Sequence, residues 1–167
     1  MVHCSAFMFD ESELECKRKK VRKVLDRLKQ IAKEYKIRFA FENVVPGIPT
    51  DFCEEMIACA ACEKIGFCYD SSHDQIDGPR PLDLLERQKN KLLALHISDR
   101  IKEFTDHVIP GERFIDFDKI CELIKASGYQ RPLMMEVETT HSKYKESEEF
   151  LKKTYEEAVV LYDKIYG

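Results

Sequence analysis

Residues 66–98 decide the fold, and they read GFCYDSSHDQIDGPRPLDLLERQKNKLLALHIS. Two short apolar runs, GFCYD (66–70) and LLALHIS (92–98), flank an amphipathic stretch at residues 82–90. Apolar runs of this length are typical of buried strands, and the second run suits a strand that is covered on both faces. A strand, a helix and another strand in this order predict a βα unit of a parallel sheet.

The same alternation of short apolar runs and amphipathic stretches continues on both sides of this unit. Thr50 or Asp51 is predicted to cap one helix. Asp116 is predicted to cap another, which Gly128 ends because the left-handed position after a helix favours glycine. The predicted strands are residues 1–4 (a stub), 37–42, 66–70, 92–98 and 132–137, and the predicted helices are residues 11–35, 51–64, 82–90, 117–127 and 147–165. The last helix is predicted to carry one apolar face, made of Leu151, Tyr155, Ala158, Tyr162 and Ile165.

The composition indicates one globular core and argues against a nucleic acid partner. Of the 167 residues, 44% are hydrophobic and 35% are charged, which is ordinary for a globular domain. A complete eight-stranded barrel usually takes about 250 residues, so the chain is short for one. The formal net charge is −4, whereas proteins that bind a nucleic acid backbone usually have a basic surplus. A small-molecule substrate is therefore favoured.

The cysteines and the lack of long apolar runs predict a cytoplasmic protein with free thiols. The chain has seven cysteines, and no small disulfide framework is indicated. We expect no secretory signal, and no stretch approaches the roughly 18 apolar residues of a membrane span. Cys59 and Cys62 form a C-x-x-C pair inside the predicted helix 51–64. We interpret this pair as buried helix packing rather than a redox or zinc site, because free cysteine behaves as a small apolar side chain.

Four successive strands end in or near a side chain that can bind a metal ion. Active sites of parallel βα folds form at the carboxyl ends of the strands. At these ends the sequence places three carboxylates and one imidazole, which belong to Glu42, Asp70, His96 and Glu136. Converging carboxylates repel one another unless a cation compensates their charge. Oxygen ligands with one imidazole suit Mn²⁺, Co²⁺, Mg²⁺ or Zn²⁺, so the sequence predicts a divalent metal site.

Five short motifs resemble, in order, those of a known barrel superfamily. They are FENVVPG (41–47), CYDSSHD (68–74), LHISD (95–99), DHVIPGERFIDF (106–117) and LMMEVE (133–138). The set resembles the xylose-isomerase-like TIM-barrel superfamily, in particular its sugar phosphate isomerase/epimerase family. The superfamily also contains the apurinic endonucleases of the endonuclease IV type. The resemblance implies an α/β fold in which residues 1–167 form a single partial (β/α)-barrel domain, about strands 4 to 8 with their helices, so that this barrel is incomplete.

The resemblance also implies roles for the residues at the strand ends. Glu42, Asp70, His96 and Glu136 match the metal ligands of the family. In the epimerases, the residues that match Glu42 and Glu136 also transfer the proton. His73 matches a histidine that contacts substrate oxygens in epimerases and binds zinc in the endonucleases.

His107 matches the histidine of a D-x-H zinc pair in the endonucleases, and Thr105 stands at the position of the aspartate. This departure argues against a complete trinuclear zinc cluster, and His107 is instead predicted to bind substrate. His3 resembles the histidine that ends the fourth strand of the barrel.

Four further polar residues lie in or near these motifs. Arg100 is predicted either to hold a substrate hydroxyl or phosphate group or to be exposed. Asn43 is predicted to bind substrate or to position Glu42, with a plain loop role as the alternative. Asp99 is predicted to orient a metal ligand, and His141 is predicted to lie at the surface.

The predicted reaction is isomerisation or epimerisation of a small sugar or sugar phosphate. The metal would act as a Lewis acid that stabilises an enediolate. Glu42 and Glu136 would remove and return the proton from opposite faces, and His73 would assist by hydrogen bonding. Two alternatives stay open: a metal-dependent apurinic-site nuclease, and a non-catalytic truncated barrel whose open strand edges are covered by homo-oligomerisation.

Overall fold

The computed structural model describes residues 2–3, 11–44, 46–74, 82–101 and 106–167. Thr105, Cys4 and residues 75–81 therefore lie outside the described residues. The helices are α1 (Leu14–Glu34), α2 (Ile48–Ala60), α3 (Asp83–Gln88), α4 (Phe117–Ala126) and α5 (Ser147–Tyr166). The strands are β1 (Phe39–Glu42), β2 (Ile65–Asp70) and β3 (Leu92–His96). Short 3-10 turns at Glu11–Glu13 and Lys89–Lys91 precede α1 and follow α3.

The strands form one parallel sheet in the order β1-β2-β3. Single parallel bridges extend this sheet on both sides, from Val2 to Phe41 and from Ile97 to Met135. The segments thus lie side by side in the order in which they occur in the chain, as consecutive βα units commonly do. The predicted α/β class with a parallel sheet is confirmed.

The predicted strand at residues 132–137 is wrong in its extent. The segment makes one bridge, at Met135, to Ile97 of the neighbouring segment. Two backbone hydrogen bonds with Ile97 hold it there, and the N–H of Glu138 then donates to the carbonyl of His107 at 2.8 Å. The chain therefore leaves the sheet towards the loop that carries His107, and no regular strand forms.

Strand β2 is the centre of the core, because all six of its residues are buried. Phe67 and Tyr69 have no exposed surface. Gly66 lies so close to β3 that an added Cβ would collide with the carbonyl oxygen of Lys91 and approach the Leu93 side chain to 2.7 Å. A residue without a side chain is therefore required there. This close approach sets the position of β2, and with it the position of the strand end.

Helix α2 begins earlier than predicted. Its first residue is Ile48, which follows Gly47 with a φ of +88°, and the structure shows no side-chain cap on the helix. The predicted caps, Thr50 and Asp51, lie inside the first turn, so that prediction is wrong. A positive φ at Gly47 allows the preceding loop to enter the helix sooner.

Helix α2 also ends earlier than predicted. Its last residue is Ala60, because Ala61 adopts a left-handed conformation with a φ of +44°. Cys59 is exposed, and Cys62 lies beyond the helix and is half-buried. The predicted burial of the C-x-x-C pair is therefore wrong.

Helix α4 has the predicted ends. The Asp116 carboxylate accepts a hydrogen bond from the N–H of Lys119 at 3.1 Å and caps the helix. Gly128 has a φ of +71° just beyond the helix. Both predictions are confirmed.

Helix α5 buries a different face from the predicted one. Its buried residues are Phe150, Leu161 and Ile165. Leu151, Tyr155 and Tyr162 of the predicted face are 66%, 71% and 55% exposed, so of its five residues only Ile165 is fully buried. None of the described helices has the length and apolar character needed to cross a membrane.

Candidate metal centre

The carboxyl ends of the strands bring the four predicted metal ligands together. Glu42 ends β1, Asp70 ends β2 and His96 ends β3, and Asp70 pairs directly with His96 across the sheet. Glu136 follows the bridge at Met135. One oxygen or nitrogen atom from each of the four side chains lies within 4.8 Å of the others.

His96 is at the centre of this cluster. Its Nδ1 atom lies 3.3 Å from Oε2 of Glu42 and 3.9 Å from Oδ2 of Asp70, and it contacts Oε2 of Glu136. Glu42, Asp70 and His96 are buried, whereas 42% of the Glu136 side chain is exposed. The cluster is thus shielded from solvent on the side of the sheet and accessible to solvent at Glu136.

Three buried atoms of the cluster have no polar contacts outside it and the adjacent His73. Among the described residues, Oδ2 of Asp70, Nδ1 of His96 and Oε2 of Glu136 form ion-pair contacts with one another, with Glu42 or with His73, and make no other hydrogen bond. Buried polar atoms in proteins are nearly always hydrogen-bonded. Three such atoms that converge, two of them carboxylate oxygens and one an imidazole nitrogen, form a donor set that suits a divalent cation.

Hydrogen bonds from neighbouring residues fix the orientation of the Asp70 carboxylate. Its Oδ1 accepts hydrogen bonds from the N–H and the hydroxyl of Ser72, both at 2.8 Å, and from the N–H of His73 at 3.2 Å. Its backbone is held by Asn43, whose amide donates to the Asp70 carbonyl and accepts from the Asp70 N–H, both at 2.9 Å. The carboxylate is therefore fixed with Oδ2 directed into the cluster.

The charges of the cluster are strongly coupled. Burial alone would raise the pKa of Glu42, but its contacts with His73 and His96 outweigh burial and lower the pKa to about 2. Burial would lower the pKa of His96, but the nearby Cys68, Glu136 and Glu42 raise it to about 12. Without a metal ion, a protonated imidazole thus supplies the positive charge that the carboxylates need. A cation would have to displace this proton.

The remaining two carboxylates respond in opposite ways. Burial raises the pKa of Asp70, although the neighbouring His73 and Ser72 act against it. The contact with His96 lowers the pKa of the more exposed Glu136. The cluster therefore holds one carboxyl group that is costly to ionise and that a cation would stabilise as the carboxylate.

His73 and His107 lie beside the cluster. Nδ1 of His73 is 3.0 Å from the Asn43 carbonyl oxygen and 3.5 Å from both Glu42 and Asp70. The ring of His107 packs against that of His73 edge to face, with 5.2 Å between the centroids. Both predicted substrate-binding histidines therefore border the same space.

Asn43, predicted to bind substrate or to position Glu42, binds the backbone of Asp70 instead, so it positions Asp70 rather than Glu42. Arg100 is 4% exposed, and its guanidinium donates to the Ser72 carbonyl at 3.3 Å, so the exposed alternative is wrong. Asp99 accepts hydrogen bonds from the N–H groups of Arg100, Arg113 and Ile115. It organises a loop, and the predicted orientation of a metal ligand is not observed.

The two outlying histidines differ in position. Nε2 of His3 lies 3.2 Å from Oε2 of Glu42, so the resemblance of His3 to a strand-end histidine agrees with its place beside the cluster. His141 is exposed, as predicted, and lies 3.7 Å from Asp106.

Sequence reasoning missed two groups of side chains at the site. Ser72 and Ser98 hold Nδ1 of His107 at 3.3 and 3.0 Å. Cys68 lies next to Glu42 and His96. The alternation of side chains along a strand would have found Cys68, because it precedes Asp70 by two residues.

A parallel βα sheet with carboxylates and an imidazole at its strand ends defines an α/β protein with a candidate metal centre. A family model described as a xylose isomerase-like TIM barrel matches residues 1–154, and the chain belongs to this family. The resemblance seen in the five motifs is thereby confirmed.

Curated relatives share the sequence over most of this chain. A protein of Sinorhizobium fredii, named uncharacterized protein y4fM, is 31% identical over 128 residues, which are 77% of this chain and 37% of the relative. An inosose dehydratase of Lacticaseibacillus casei is 25% identical over 138 residues, which are 71% of this chain and 46% of the relative. The chain thus spans less than half the length of these relatives.

Solved structures share the fold. The 3-keto-D-glucoside 4-epimerase YcjR of E. coli matches with a TM-score of 0.72 at 18% identity, over 93% of this chain and 57% of that chain. The IolI protein with a bound zinc atom matches with a TM-score of 0.68 at 22% identity, over 86% of this chain and 56% of that chain. At these identities the likeness supports the fold alone.

Proposed function

We propose that the chain carries the metal-binding face of a divalent-metal-dependent sugar isomerase or epimerase. The observation that carries this proposal is the convergence of Glu42, Asp70, His96 and Glu136, whose buried ligand atoms interact with one another and lie within 4.8 Å. These four residues would hold Mn²⁺, Co²⁺, Mg²⁺ or Zn²⁺. The bound ion would supply Lewis-acid stabilisation of negative charge on two neighbouring substrate oxygens.

Glu42 and Glu136 would exchange the proton with the substrate carbon. Their contacts with the histidines lower the pKa of both groups, so both are carboxylates at neutral pH and can accept a proton. The Glu42 side chain is 2% exposed and that of Glu136 is 42% exposed. Glu136 is therefore the member that would exchange its proton readily with water, and an epimerised product would acquire solvent hydrogen.

His73 and His107 would bind substrate oxygens beside the metal. Burial opposes protonation of His73, but the nearby Glu42 and Asp70 outweigh it and raise the pKa of this histidine. A histidine that carries a proton on both ring nitrogens is a hydrogen-bond donor at each. It can therefore donate to a hydroxyl or carbonyl oxygen of a sugar.

The names of the relatives and the chemistry of the site together support a proposed substrate class. Relatives include proteins named inosose dehydratase and inosose isomerase, and structural neighbours include sugar epimerases. The common substrate feature would be a carbonyl group next to a carbon that bears a hydroxyl group and an acidic proton. We therefore propose a small sugar, sugar phosphate or cyclic polyol ketone as the partner of this site.

The experiment is proton exchange in D₂O. The metal-free protein is reloaded with Mn²⁺ or Co²⁺ and incubated with a panel of ketoses and inososes, and deuterium incorporation is followed by NMR. We expect exchange with the wild-type protein, a loss of it in Glu136→Gln, and none of this loss in the control His141→Ala, whose histidine is exposed. Absence of exchange with every compound in the panel would contradict the catalytic proposal.

A nuclease function is the second candidate, and one observation favours it. Asp70, His73 and His107 also bring ligand atoms within 4.8 Å of one another, which a second metal ion would need. The net charge of −4 and the threonine at position 105 argue against it. Cleavage of a duplex that contains an abasic site by the metal-loaded protein would reverse this ranking.

We further propose that residues 1–167 form a single partial (β/α)-barrel domain, corresponding to about strands 4 to 8 of a barrel. Two observations support this proposal. The sheet ends on each side in a single bridge, at Val2 and at Met135, and Leu151 and Tyr155 of α5 are exposed. Further strands and helices of a closed barrel would cover these strand edges and apolar side chains. A homo-oligomer would cover the same edges. Light scattering separates the outcomes, since a monomeric mass would exclude the oligomer. The cytoplasmic location stays a prediction.

A further inference from the structure

We propose that Cys68 gives the candidate metal centre a second coordination mode, in which Glu42, Cys68 and His96 hold a thiophilic divalent cation such as Zn²⁺. This inference rests on the metal site of the proposed function. It concerns which cations that site selects.

The position of Cys68 follows from the sheet. Cys68 precedes Asp70 by two residues on β2, and side chains alternate along a strand, so both point to the same face. Cys68 pairs with Glu42 on one side and with Ala94 on the other. A carboxylate and a thiol thus stand side by side on neighbouring strands.

The three donor groups are close together and closed off from solvent. A carboxylate oxygen of Glu42, the Sγ atom of Cys68 and a ring nitrogen of His96 lie within 4.8 Å of one another. Their residues are 3%, 0% and 5% exposed. Glu42 and His96 belong to this group and also to the group with Asp70 and Glu136. One cation could therefore be held either at the rim or one layer deeper in the sheet.

An independent observation indicates that this space takes a ligand. Among the described residues, Nδ1 of His96 is buried and interacts only with carboxylate oxygens of Glu42, Asp70 and Glu136, and Oδ2 of Asp70 interacts only with the imidazoles of His73 and His96. His96 and Asp70 are more than nine-tenths buried. The buried imidazole beside Cys68 thus faces a set of carboxylate oxygens, which is a surrounding that suits a bound cation.

The chemistry of the donor set selects the cation. A thiolate and a carboxylate carry two negative charges, which balance one divalent cation when the imidazole is neutral. Metal binding therefore releases two protons to solvent, one from the Cys68 thiol and one from the protonated His96 ring. Thiolate favours Zn²⁺ and Co²⁺, whereas Mg²⁺ and Mn²⁺ favour oxygen ligands. Cys53 and Cys121 are also buried, but they lie in the apolar core.

Cobalt absorption tests the proposal. The metal-free full chain is titrated with Co²⁺, and visible d–d bands report binding while a near-ultraviolet charge-transfer band reports a cobalt–thiolate bond. We expect both signals in the wild-type protein and in the control Cys59→Ser, whose thiol is exposed. In Cys68→Ser the charge-transfer band disappears and the d–d bands persist. Zn²⁺ affinity falls by about 10-fold or more, while Mn²⁺ affinity changes far less.

The following outcomes would contradict either the thiolate ligand or the metal site as a whole. Visible bands without a charge-transfer band in the wild-type protein would overturn the thiolate ligand and leave the metal site standing. Loss of the charge-transfer band in Cys59→Ser would overturn it as well. No cobalt binding at all would overturn both this inference and the proposed metal site. If Cys68→Ser does not fold, X-ray absorption of the Zn²⁺-loaded wild-type protein decides, because a sulfur ligand gives a distance of about 2.3 Å.

Discussion

The candidate metal centre joins two regions of the molecule that are held in different ways. Glu42, Asp70 and His96 end three hydrogen-bonded parallel strands and are buried. Glu136 follows a single bridge at the margin of the sheet, and 42% of its side chain is exposed. Backbone pairing thus sets three of the donors before a cation binds, while one bridge positions the fourth. We expect the three donors at the strand ends to contribute most of the metal affinity. We expect Glu136 to contribute less, because it is held less firmly.

We call the ends of strands β1, β2 and β3 the paired region and the segment around Met135 the marginal segment. The largest effect is expected from Asp70→Asn, which removes a fully buried metal-binding group from the paired region. Metal affinity should fall by more than the roughly 100-fold that the loss of an outer-shell partner can cause. Glu136→Gln, at the margin, should lower it by about 10-fold. Calorimetric titration of the metal-free protein with Mn²⁺ measures both, and the exposed His141→Ala serves as the control. An equal or larger loss in Glu136→Gln would contradict the distinction between the two regions.

A second effect concerns stability in acid. The contacts of Glu42 with His73 and His96 overcome its burial and lower its pKa from 4.5 to about 2. The ionised carboxylate therefore stabilises the fold above pH 4.5, and this stabilisation is lost as the pH falls towards 2. The difference in unfolding free energy between the metal-free wild-type protein and Glu42→Gln should be on the order of 3 kcal/mol near neutral pH.

Urea unfolding between neutral and acidic pH tests this dependence on the metal-free protein. The difference between the two proteins should shrink steadily as the pH drops below 4.5. Glu138→Gln, which alters an exposed glutamate of the marginal segment, should show little change over the same range. A difference for Glu42→Gln that is independent of pH would refute the assigned role of the ionised carboxylate.

The smallest expected effect is in local opening. Amide hydrogens of Phe67 and Tyr69, within the buried β2, should exchange at least about 10-fold more slowly than those of Glu136 and Glu138. Hydrogen exchange followed by NMR resolves these amides. Equal protection in both regions would mean that the marginal segment is covered by another part of the protein or by a second copy.

The paired region was also the more predictable one from sequence. Glu42, Asp70 and His96 each stand at the end of a short apolar run, and parallel pairing brings such ends to one edge. The cap at Asp116 and the end at Gly128 depend on local backbone chemistry, which sequence shows directly.

The remaining features depend on distant contacts that sequence does not show. Periodicity indicated an apolar stripe on α5, but which of its residues are covered depends on the neighbouring elements, and Leu151 and Tyr155 are exposed. The length of the segment around Met135 depends on how many neighbours pair with it. The early end of α2 follows from the left-handed Ala61, a conformation that alanine rarely adopts.

The hydrogen bonds at Asp70 also have a consequence for coordination number. Three donors from Ser72 and His73 engage Oδ1, so only Oδ2 is available to a cation, and a bidentate carboxylate is disfavoured. A cation such as Mn²⁺ or Mg²⁺ takes about six donors in octahedral geometry. A carboxylate restricted to one oxygen leaves more of these positions vacant. Ser72 would therefore keep room for a bidentate substrate, such as a hydroxyketone that binds through two adjacent oxygens.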